Sequence, residues 1–382
     1  MHLLPPSHQG PWASLTAQRY GELFTLRIAS TTWVFLNSSR VVTDLLEKRS
    51  AIYSSRPRMP FASECMSGGC RVVVMPYGER WRSVRKIMHG ILNGRNAELF
   101  RGFQERESER LVGEVLRRPE GWWAANQRYA NGVVMGVVFG KGITSEEGAE
   151  GLGKEGNGKS IFGPNGEEGA NVLKKNGGGK SNIEKLFDTS QEFIAALQPG
   201  ANLVDVFTFL DRLPTPLKWW IPRGKASFQR LLDVYGAEVR DLNQRVKNGT
   251  CPPCFATKFL DDPASEALGE TQRLFALGSL MEAGSDTSRM TLSQIIAAAA
   301  TDARWVRRAQ EVMDRVLGVA ERLPGLGDRG ELRYLSAVVK EGWRWRPFAE
   351  IGMFSTCSSA RRICCRLMEE FSWTLWNLSG VC

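Results

Sequence analysis

The stretch FALGSLMEAGSDTSRMTLSQIIAAAA, residues 275–300, decides the fold class of this chain. Its apolar side chains recur every three to four residues, which predicts one long helix with a buried face. A glycine inside a helix lowers helix stability by about 1 kcal/mol relative to alanine, and a buried hydroxyl needs a partner. The run of small and polar residues from Gly284 to Ser288, in the middle of this predicted helix, therefore requires an explanation. The predicted buried face consists of Leu277, Leu280, Met281, Gly284, Thr287, Ser288, Leu292, Ile295, Ile296 and Ala299.

Two explanations of the interruption remain open on the sequence alone. In the first, another helix crosses at Gly284, and Thr287 bonds the carbonyl four residues earlier in its own helix. In the second, a molecule lies in a groove against Gly284, while Asp286 and Thr287 handle protons.

A second helix is predicted after Pro76, in YGERWRSVRKIMHGIL. Trp81 begins its apolar stripe, which continues through Val84, Met88 and Leu92. Arg85 follows Trp81 by four residues and therefore lies on the edge of the same stripe. We expect this arginine to be half-buried and to need an anion, either a neighbouring carboxylate or a carboxylate of a ligand.

A third helix is predicted in ELRYLSAVVKEGWRWRPF and ends at Pro347. Glu341 and Arg344 lie three residues apart on one flank, where they can form a bidentate ion pair. On a solvated face such a pair contributes little to stability.

Composition excludes several kinds of site. Two of the three histidines, His2 and His8, lie in the first eight of 382 residues, so zinc sites rich in histidine and histidine-based triads have little support. Cysteine is the expected ligand of any transition metal. The eight cysteines indicate thiols in a reducing compartment, and the net charge of +9 suggests an acidic or anionic partner. No stretch reaches the roughly 18 apolar residues of a membrane span.

The chain is predicted to be mainly α-helical with a small β-sheet region. GELFTLRIASTTWVFLNSS alternates polar and apolar residues, which is typical of an antiparallel hairpin. The prolines of MHLLPPSHQGPW predict a non-helical lead-in. The predicted organisation is a lead-in over residues 1–19, a domain over 20–352 with a Gly-rich surface insertion at 142–181, and an aberrant tail over 353–382.

Two weaker motifs carry competing hypotheses. GKEGNGKS, residues 153–160, matches a phosphate-binding loop, but no strand precedes it and Pro164 blocks a following helix, so the match is fortuitous unless the chain binds a nucleotide. The C-P-P-C segment, Cys251 to Cys254, indicates a loop with two thiols, since its prolines disfavour a helix start and no second pair accompanies it.

A tryptophan-rich segment, LPTPLKWWIPRGK at residues 213–225, has two readings. Trp219 and Trp220 among basic residues suit a membrane interface. Equally, they fit a connection between helices that buries its tryptophans.

Taken together and in their order along the chain, the three helical motifs resemble those of the cytochrome P450 family of heme-thiolate monooxygenases. The resemblance covers roughly Tyr20 to Gly352 and implies a cytochrome P450-like fold. LLEKRSAIYSSRPRMP, residues 45–60, resembles the fungal microsomal branch of the family and its secondary metabolism. The matching motifs are W-x-x-x-R at Trp81 and Arg85, A-G-x-D-T at Ala283 to Thr287, and E-x-x-R at Glu341 and Arg344.

The resemblance implies heme as cofactor, a small hydrophobic substrate, O2 as oxidant and an NADPH-cytochrome P450 reductase as partner, with no nucleic acid. It also implies the cytoplasmic face of the endoplasmic reticulum membrane; because no anchor segment is recognised, a cytoplasmic location is the alternative. The implied roles are propionate contacts for Trp81 and Arg85, close approach of the helix to the heme at Ala283 and Gly284, proton delivery to dioxygen by Asp286 and Thr287, and a structural lock by Glu341 and Arg344.

The expected heme ligand is where the sequence departs from the family pattern, Phe-x-x-Gly-x-Arg-x-Cys-x-Gly. ARRICCRLMEE, residues 360–370, offers Cys364 as the metal ligand but lacks the glycines and the phenylalanine, and it follows Arg344 by only 20 residues. The C-terminal heme-ligand region is therefore predicted to be missing or degraded, by deletion or by a shifted reading frame. The alternative function is a truncated, non-catalytic remnant that binds no heme.

Overall fold

A computed structural model describes residue 5 and residues 9–28, 31–143, 182–198, 200–319, 322–347 and 355–356. These residues form helices and one two-stranded antiparallel sheet, so the predicted mainly helical fold with a small sheet is confirmed. The helices are α1 Gln9–Tyr20, α2 Ser39–Val42, α3 Ser50–Tyr53, α4 Glu79–Leu92, α5 Ala97–Arg117, α6 Trp122–Phe139, α7 Asn182–Leu197, α8 Leu203–Val206, α9 Trp220–Lys247, α10 Phe255–Asp261, α11 Pro263–Glu266, α12 Glu270–Thr301, α13 Arg304–Leu317 and α14 Arg333–Trp345.

The hairpin lies where the alternating pattern predicts it. Strand β1, Leu23–Ile28, pairs antiparallel with β2, Thr31–Leu36. Phe24 and Phe35 are buried on one face, and their rings stack with centroids 4.8 Å apart. Period-two alternation places such side chains on the same side of the sheet, where they pack against α1.

The predicted non-helical lead-in is wrong in part, because α1 begins at Gln9. Pro11 lies in the first turn of this helix, where a residue without an N–H group is tolerated because no carbonyl of the helix could accept from it. Trp12 of the same helix packs edge-on against Phe24. The helix therefore covers the hairpin.

The long helix α12 is the centre of the fold, and it contains the whole predicted stretch. It contacts α6, α9 and α14. Leu277 and Met281 are fully buried, as the periodicity predicts. Ser288 and Ile296 are exposed, however, which corrects the far part of the predicted face. The residues of α12 that are buried lie between Gln272 and Arg289, so its last part is more accessible to solvent.

Helices α5 and α6 pack together around a buried charge cluster. Arg128 of α6 is 1% exposed and forms ion pairs with Glu107 and Glu114 of α5. Nε of Arg128 donates to Glu114 over 2.7 Å. The two glycines of α6 at this contact, Gly132 and Gly136, leave room for side chains of α5. The cluster fixes the helix on which α12 rests.

The two ends of the Gly-rich insertion meet at one buried carboxylate. Glu238 of α9 accepts a hydrogen bond from Nδ2 of Asn182 over 2.7 Å and lies 3.7 Å from Nζ of Lys141. Residues 144–181, which include the phosphate-loop match, lie outside the described residues. The proposed domain limits and the insertion remain predictions.

A helix follows the C-P-P-C segment directly, so the expectation that its prolines disfavour a helix start is wrong. Cys254 is the N-terminal cap of α10, and its backbone N–H donates to Oγ1 of Thr257 over 3.2 Å. Both Cys251 and Cys254 are free thiols. The prolines precede the helix and are therefore compatible with its start.

Asp205 of α8 gives the described fold a pH-dependent contact. Its carboxylate accepts from the backbone N–H groups of Phe61 and Ala62 over 2.7 and 3.3 Å. Burial nevertheless raises the pKa of Asp205 from 3.8 to about 6, against the opposing effect of these two donors.

We therefore expect Asp205 to make stability fall as the pH rises from 3.8 to about 6. The folded chain holds this proton more tightly than the unfolded chain, so the contribution is complete below pH 3.8 and is lost towards pH 6. Urea denaturation across this range should show a steeper loss in the wild type than in Asp205→Asn. Parallel pH profiles of the two proteins would contradict the assignment.

Candidate functional site

Gly284 lies where α12 crosses α6. A Cβ atom built on this glycine would lie 2.5 Å from Cγ2 and 2.8 Å from Cβ of Val134. The close approach that the sequence predicts at Gly284 is therefore made by a neighbouring helix. This packing differs from the expected notch against a cofactor, because the valine side chain fills the space. The neighbouring Ala283 is exposed.

The proton-handling candidates are held within their own helix. Oγ1 of Thr287 donates to the carbonyl of Ala283 over 2.8 Å, which is the local bond that the packing explanation predicts. Asp286 accepts from Nη2 of Arg289 over 3.0 Å. The side chains of Asp286 and Thr287 are partly exposed. Their arrangement places one hydroxyl and one carboxylate beside the open Ala283 position.

Arg289 is a site residue that the sequence interpretation missed. Its side chain is 4% exposed, and its guanidinium lies 5.0 Å from the ring centroid of Trp123. Its backbone carbonyl accepts from Nδ2 of Asn126 over 2.9 Å. The i, i+3 spacing from Asp286 was a readable signal, since an arginine three residues after an acid can pair with it. The contacts from α6 could not be read from the sequence.

Arg85 is exposed, so the predicted half-buried position is wrong. Its guanidinium lies 5.5 Å from the ring centroid of Trp81, and within the described ranges it has no ion pair. Val84 is buried as predicted, but the other buried residues of α4 are Ile87 and Ile91, each one position before the predicted Met88 and Leu92. This shift turns Arg85 outward. Leu92, which the stripe placed inside, is exposed.

A short helical turn connects α4 with α12. The 3-10 turn Val72–Val74 contacts both helices, while Arg80 of α4 donates to Sγ of Cys70 just before it. The helices that carry the W-x-x-x-R and A-G-x-D-T motifs therefore share one contacting element. The turn is apolar, and Val74 is completely buried.

Glu341 and Arg344 form the predicted bidentate pair, with N–O distances of 2.6 and 2.7 Å. Both side chains are exposed, at 59% and 72%. The guanidinium lowers the pKa of Glu341. Within the described residues the pair lies on a surface and locks no core. Trp343 connects α14 with α12, because its Nε1 donates a hydrogen bond to Oγ1 of Thr291 over 3.2 Å.

A second buried charge cluster was not foreseen. Arg71 forms an ion pair with Glu282, and the hydroxyl of Tyr235 donates to the same carboxylate over 2.7 Å. Burial, followed by the charge of Glu282, raises the pKa of Tyr235 well above its ordinary value. The partners are 211 and 47 residues apart, so no local pattern predicts them.

Metal ligands do not cluster in the described part of the chain, where no group of three or more His, Cys, Asp or Glu side chains could hold an ion. Cys364, the predicted iron ligand, lies outside the described residues. Among the described helices, none is both long and apolar enough to cross a membrane. Trp220 is 5% exposed, as a connection between helices that buries its tryptophans predicts, whereas Trp219 is 60% exposed.

Comparisons with known proteins agree with the order of the motifs. The family model described as Cytochrome P450 matches residues 7–360. Cytochrome P450 monooxygenase 58 of Postia placenta is 29% identical over 346 residues, covering 90% of this chain and 60% of the relative. Cytochrome P450 monooxygenase fogE of Aspergillus ruber is 28% identical and covers 92% of this chain and 60% of the relative. The chain thus spans about 60% of these relatives.

The fold has a solved counterpart. A zebrafish cytochrome P450 structure with progesterone matches with a TM-score of 0.65 and 17% identity, covering 92% of this chain and 72% of that one. At this identity the likeness supports the fold alone.

The described residues fit part of a heme, the cofactor of the matched family, whose iron takes a thiolate ligand. Arg85 beside Trp81 offers an unpaired guanidinium for a propionate. Ala283 gives α12 an exposed, small apolar side chain in the same turns as Asp286 and Thr287. The residue types therefore suit the propionates and one face of the porphyrin.

Proposed function

Because the chain belongs to the cytochrome P450 family, we propose that it acts as a heme-dependent monooxygenase on a small hydrophobic organic substrate. The oxidant is O2, and the electrons come from an NADPH-dependent reductase. The observation that carries this proposal is Arg85, an exposed cation stacked on Trp81 with no carboxylate partner in the described ranges. A guanidinium held by an indole is suited to bind a carboxylate of a ligand.

The residues of the chain have separate tasks in this proposal. Heme, when bound, supplies the iron that activates O2. Arg85 and Trp81 hold a propionate, and Ala283 presents a small side chain to the porphyrin. Oγ1 of Thr287 and the carboxylate of Asp286 hold and transfer protons at the open side of α12, where Arg289 orients Asp286 through its 3.0 Å hydrogen bond.

Cys364 is the proposed iron ligand. A thiolate is the iron ligand that the family uses. Cys364 is the residue predicted for this role, and Arg361 and Arg362 precede it in the sequence. Basic neighbours stabilise a thiolate. The adjacent Cys365 provides a matched control for any test of this assignment.

The electron donor proposed here is a reductase with an acidic docking surface. The net charge of +9 of the chain favours such a partner. If NADPH oxidation by a microsomal reductase did not increase on addition of the heme-loaded chain and O2, this part of the proposal would fail.

Substitution of Arg85 tests the propionate contact. We expect Arg85→Ala to weaken heme retention by about 10- to 100-fold, since a charge-assisted hydrogen bond contributes about 1.5–3 kcal/mol and each 1.4 kcal/mol is a factor of about ten. Hemin titration of the purified chain, followed by absorbance, measures the effect. Arg82→Ala is the matched control, because Arg82 is an exposed arginine of the same helix that lies 5.6 Å from the Tyr77 ring. Equal losses in both variants would contradict a specific role.

We also propose that the segment around Trp219 contacts a membrane surface. Trp219, Leu217 and Phe209 are each at least 58% exposed, and Arg212 and Lys218 lie beside them in the sequence. Exposed aromatic side chains with basic neighbours favour the interface of an anionic bilayer. On addition of phosphatidylserine vesicles, wild-type protein should co-sediment several-fold more than Trp219→Ser. Equal sedimentation would argue against this surface.

A further inference from the structure

Two thiols meet in the loop between α9 and α10. Cys251 is half-buried, and Cys254 is completely buried. The hydrogen bond between the two thiols is one of the causes that raise the pKa of Cys251, after burial and the charge of Cys254. Sulfur atoms this close need little movement to reach the bonding distance of a disulfide. Neither thiol has a role in the proposed function.

Two prolines restrict the shape of this loop. Proline fixes the φ angle at about −65°, so Pro252 and Pro253 have little backbone freedom to lose when a ring closes around them. Pro252 also packs on Gly140 at the end of α6, where an added Cβ atom would lie 3.1 Å from Cγ and from the carbonyl oxygen of the proline. The loop therefore holds its two thiols together before any bond joins them.

Arg245 of α9 brings a positive charge to the half-buried thiol. Its Nη1 donates to Sγ of Cys251 over 3.6 Å, and its Nη2 donates to the carbonyl of Phe139 over 3.0 Å. The guanidinium opposes, without outweighing, the effect of burial on the pKa of Cys251. A nearby cation favours the thiolate, which is the form that attacks a disulfide. Cys251 is thus the thiol that a dissolved reagent can reach, and the enclosed Cys254 is the thiol that can react next.

The arrangement suits redox chemistry better than metal binding. In the described ranges, no group of three or more His, Cys, Asp or Glu side chains could hold an ion, so the pair lacks the four ligands of a structural zinc site. In a reducing compartment, disulfides are usually transient and serve catalysis or redox sensing. The chemistry open to these two neighbouring thiols is their reversible oxidation.

We propose that Cys251 and Cys254 form a reversible redox site that is oxidised to a disulfide by a small organic disulfide such as oxidised glutathione. The thiol of Cys251 releases its proton to water, and its thiolate attacks one sulfur of the reagent, whose S–S bond breaks. One glutathione leaves and takes up a proton. Cys254 then loses its proton, attacks Sγ of Cys251 and releases the second glutathione, which is also protonated. Two protein thiols are oxidised, and one oxidised glutathione becomes two reduced molecules.

Cys65 and Cys70 provide a matched control within the same chain. Cys65 is half-buried and Cys70 is buried, and Nη2 of Arg80 donates to Sγ of Cys70 over 2.9 Å. Burial raises the pKa of both thiols. Among the described contacts, none joins these two thiols to each other. The control pair therefore shares the burial and the neighbouring arginine, but it lacks the thiol contact and the prolines.

Trypsin releases each pair in one peptide, residues 248–258 and residues 59–71, so the oxidation of each pair can be followed separately. The purified, folded full chain is equilibrated with mixtures of reduced and oxidised glutathione. Free thiols are then blocked with N-ethylmaleimide, and the digested chain is analysed by mass spectrometry. We expect the disulfide form of 248–258 to predominate in mixtures that leave 59–71 largely reduced, with an equilibrium constant about tenfold larger. Excess reduced glutathione should restore both thiols of 248–258.

Single substitutions test the order of the two steps. Cys254→Ser should accumulate glutathione on Cys251, because the thiol that resolves the mixed disulfide is missing. Cys251→Ser should leave the enclosed Cys254 unmodified. In the Cys254→Ser background, Arg245→Met should slow the modification of Cys251 several-fold, and Arg245→Lys should restore the rate.

The wild-type chain alone can overturn the inference. Equal oxidation of 248–258 and 59–71 does so, as does pairing of Cys251 or Cys254 with another cysteine, or a 248–258 peptide that stays reduced in oxidised glutathione alone. Modification of Cys254 in Cys251→Ser as fast as that of Cys251 in Cys254→Ser contradicts the order of attack. An unchanged rate in Arg245→Met contradicts the role of Arg245. None of these measurements requires heme, so their outcome is independent of the proposed function.

Discussion

Replacement of Arg128 by methionine is expected to lower the free energy of unfolding by about 3–5 kcal/mol. The substitution keeps much of the side-chain volume but removes the cation that Glu107 and Glu114 share. Both carboxylates then remain largely buried without their main partner. Urea denaturation, with the midpoint and slope fitted together, measures the loss.

An exposed arginine of the neighbouring helix is the control for Arg128. Arg101 of α5 pairs with Glu98 and Glu105 over 3.1 and 2.9 Å in solvent. We expect Arg101→Met to change stability little, because solvated pairs contribute weakly. If both variants unfolded at the same urea concentration, the cluster would not be what fixes α5 on α6. The expected difference matters for the site, since α6 carries Val134 and Asn126.

Gly284→Ala is expected to lower the free energy of unfolding by about 1–3 kcal/mol. The new methyl group would meet the Val134 side chain at 2.5 Å, well inside van der Waals contact. Valine is β-branched and has few rotamers with which to withdraw. The same urea experiment measures this loss.

Two matched variants make the Gly284 prediction specific. Gly102 lies within α5 and a Cβ there would meet nothing within 4 Å, so Gly102→Ala should stabilise the protein by up to about 1 kcal/mol. Adding Val134→Ala to Gly284→Ala removes the closest overlap, with Cγ2 at 2.5 Å, and leaves only the Cβ contact at 2.8 Å, so the double variant should lose less than the two single losses together. Strict additivity would show that α12 does not meet α6 at this glycine.

The helices and the hairpin could be predicted because their causes are local. Apolar periodicity identified α12, and Pro347 marked the end of α14. The wrong predictions for the start of α1 and the start of α10 have the same physical origin. Pro11 and the prolines before α10 were taken as barriers to helix formation, although proline is tolerated at and just before a helix start.

The candidate site could be predicted only in part, because periodicity does not reveal which element covers which face. Periodicity placed Asp286 and Thr287 on α12, and the packing explanation predicted the bond from Thr287 to its own helix. It could not show that Val134 occupies the space beside Gly284, nor that Arg85 points outward. These facts depend on contacts between residues that are far apart in the sequence.

The buried pair of Arg71 and Glu282 shows the same limit more strongly. Its members are 211 residues apart, and each is an ordinary charged residue in its local sequence. Only the folded arrangement brings them together, with Tyr235 completing the cluster. Charged residues are usually solvated, so neither residue stands out in the sequence as a buried partner.

The absorption spectrum of the reduced, carbon monoxide-treated chain after loading with hemin tests the central claim most directly. The account predicts the band of a thiolate-ligated heme, which Cys364→Ser abolishes and Cys365→Ser leaves in place. A chain that binds no heme, or a spectrum without thiolate ligation in the wild-type protein, would contradict it.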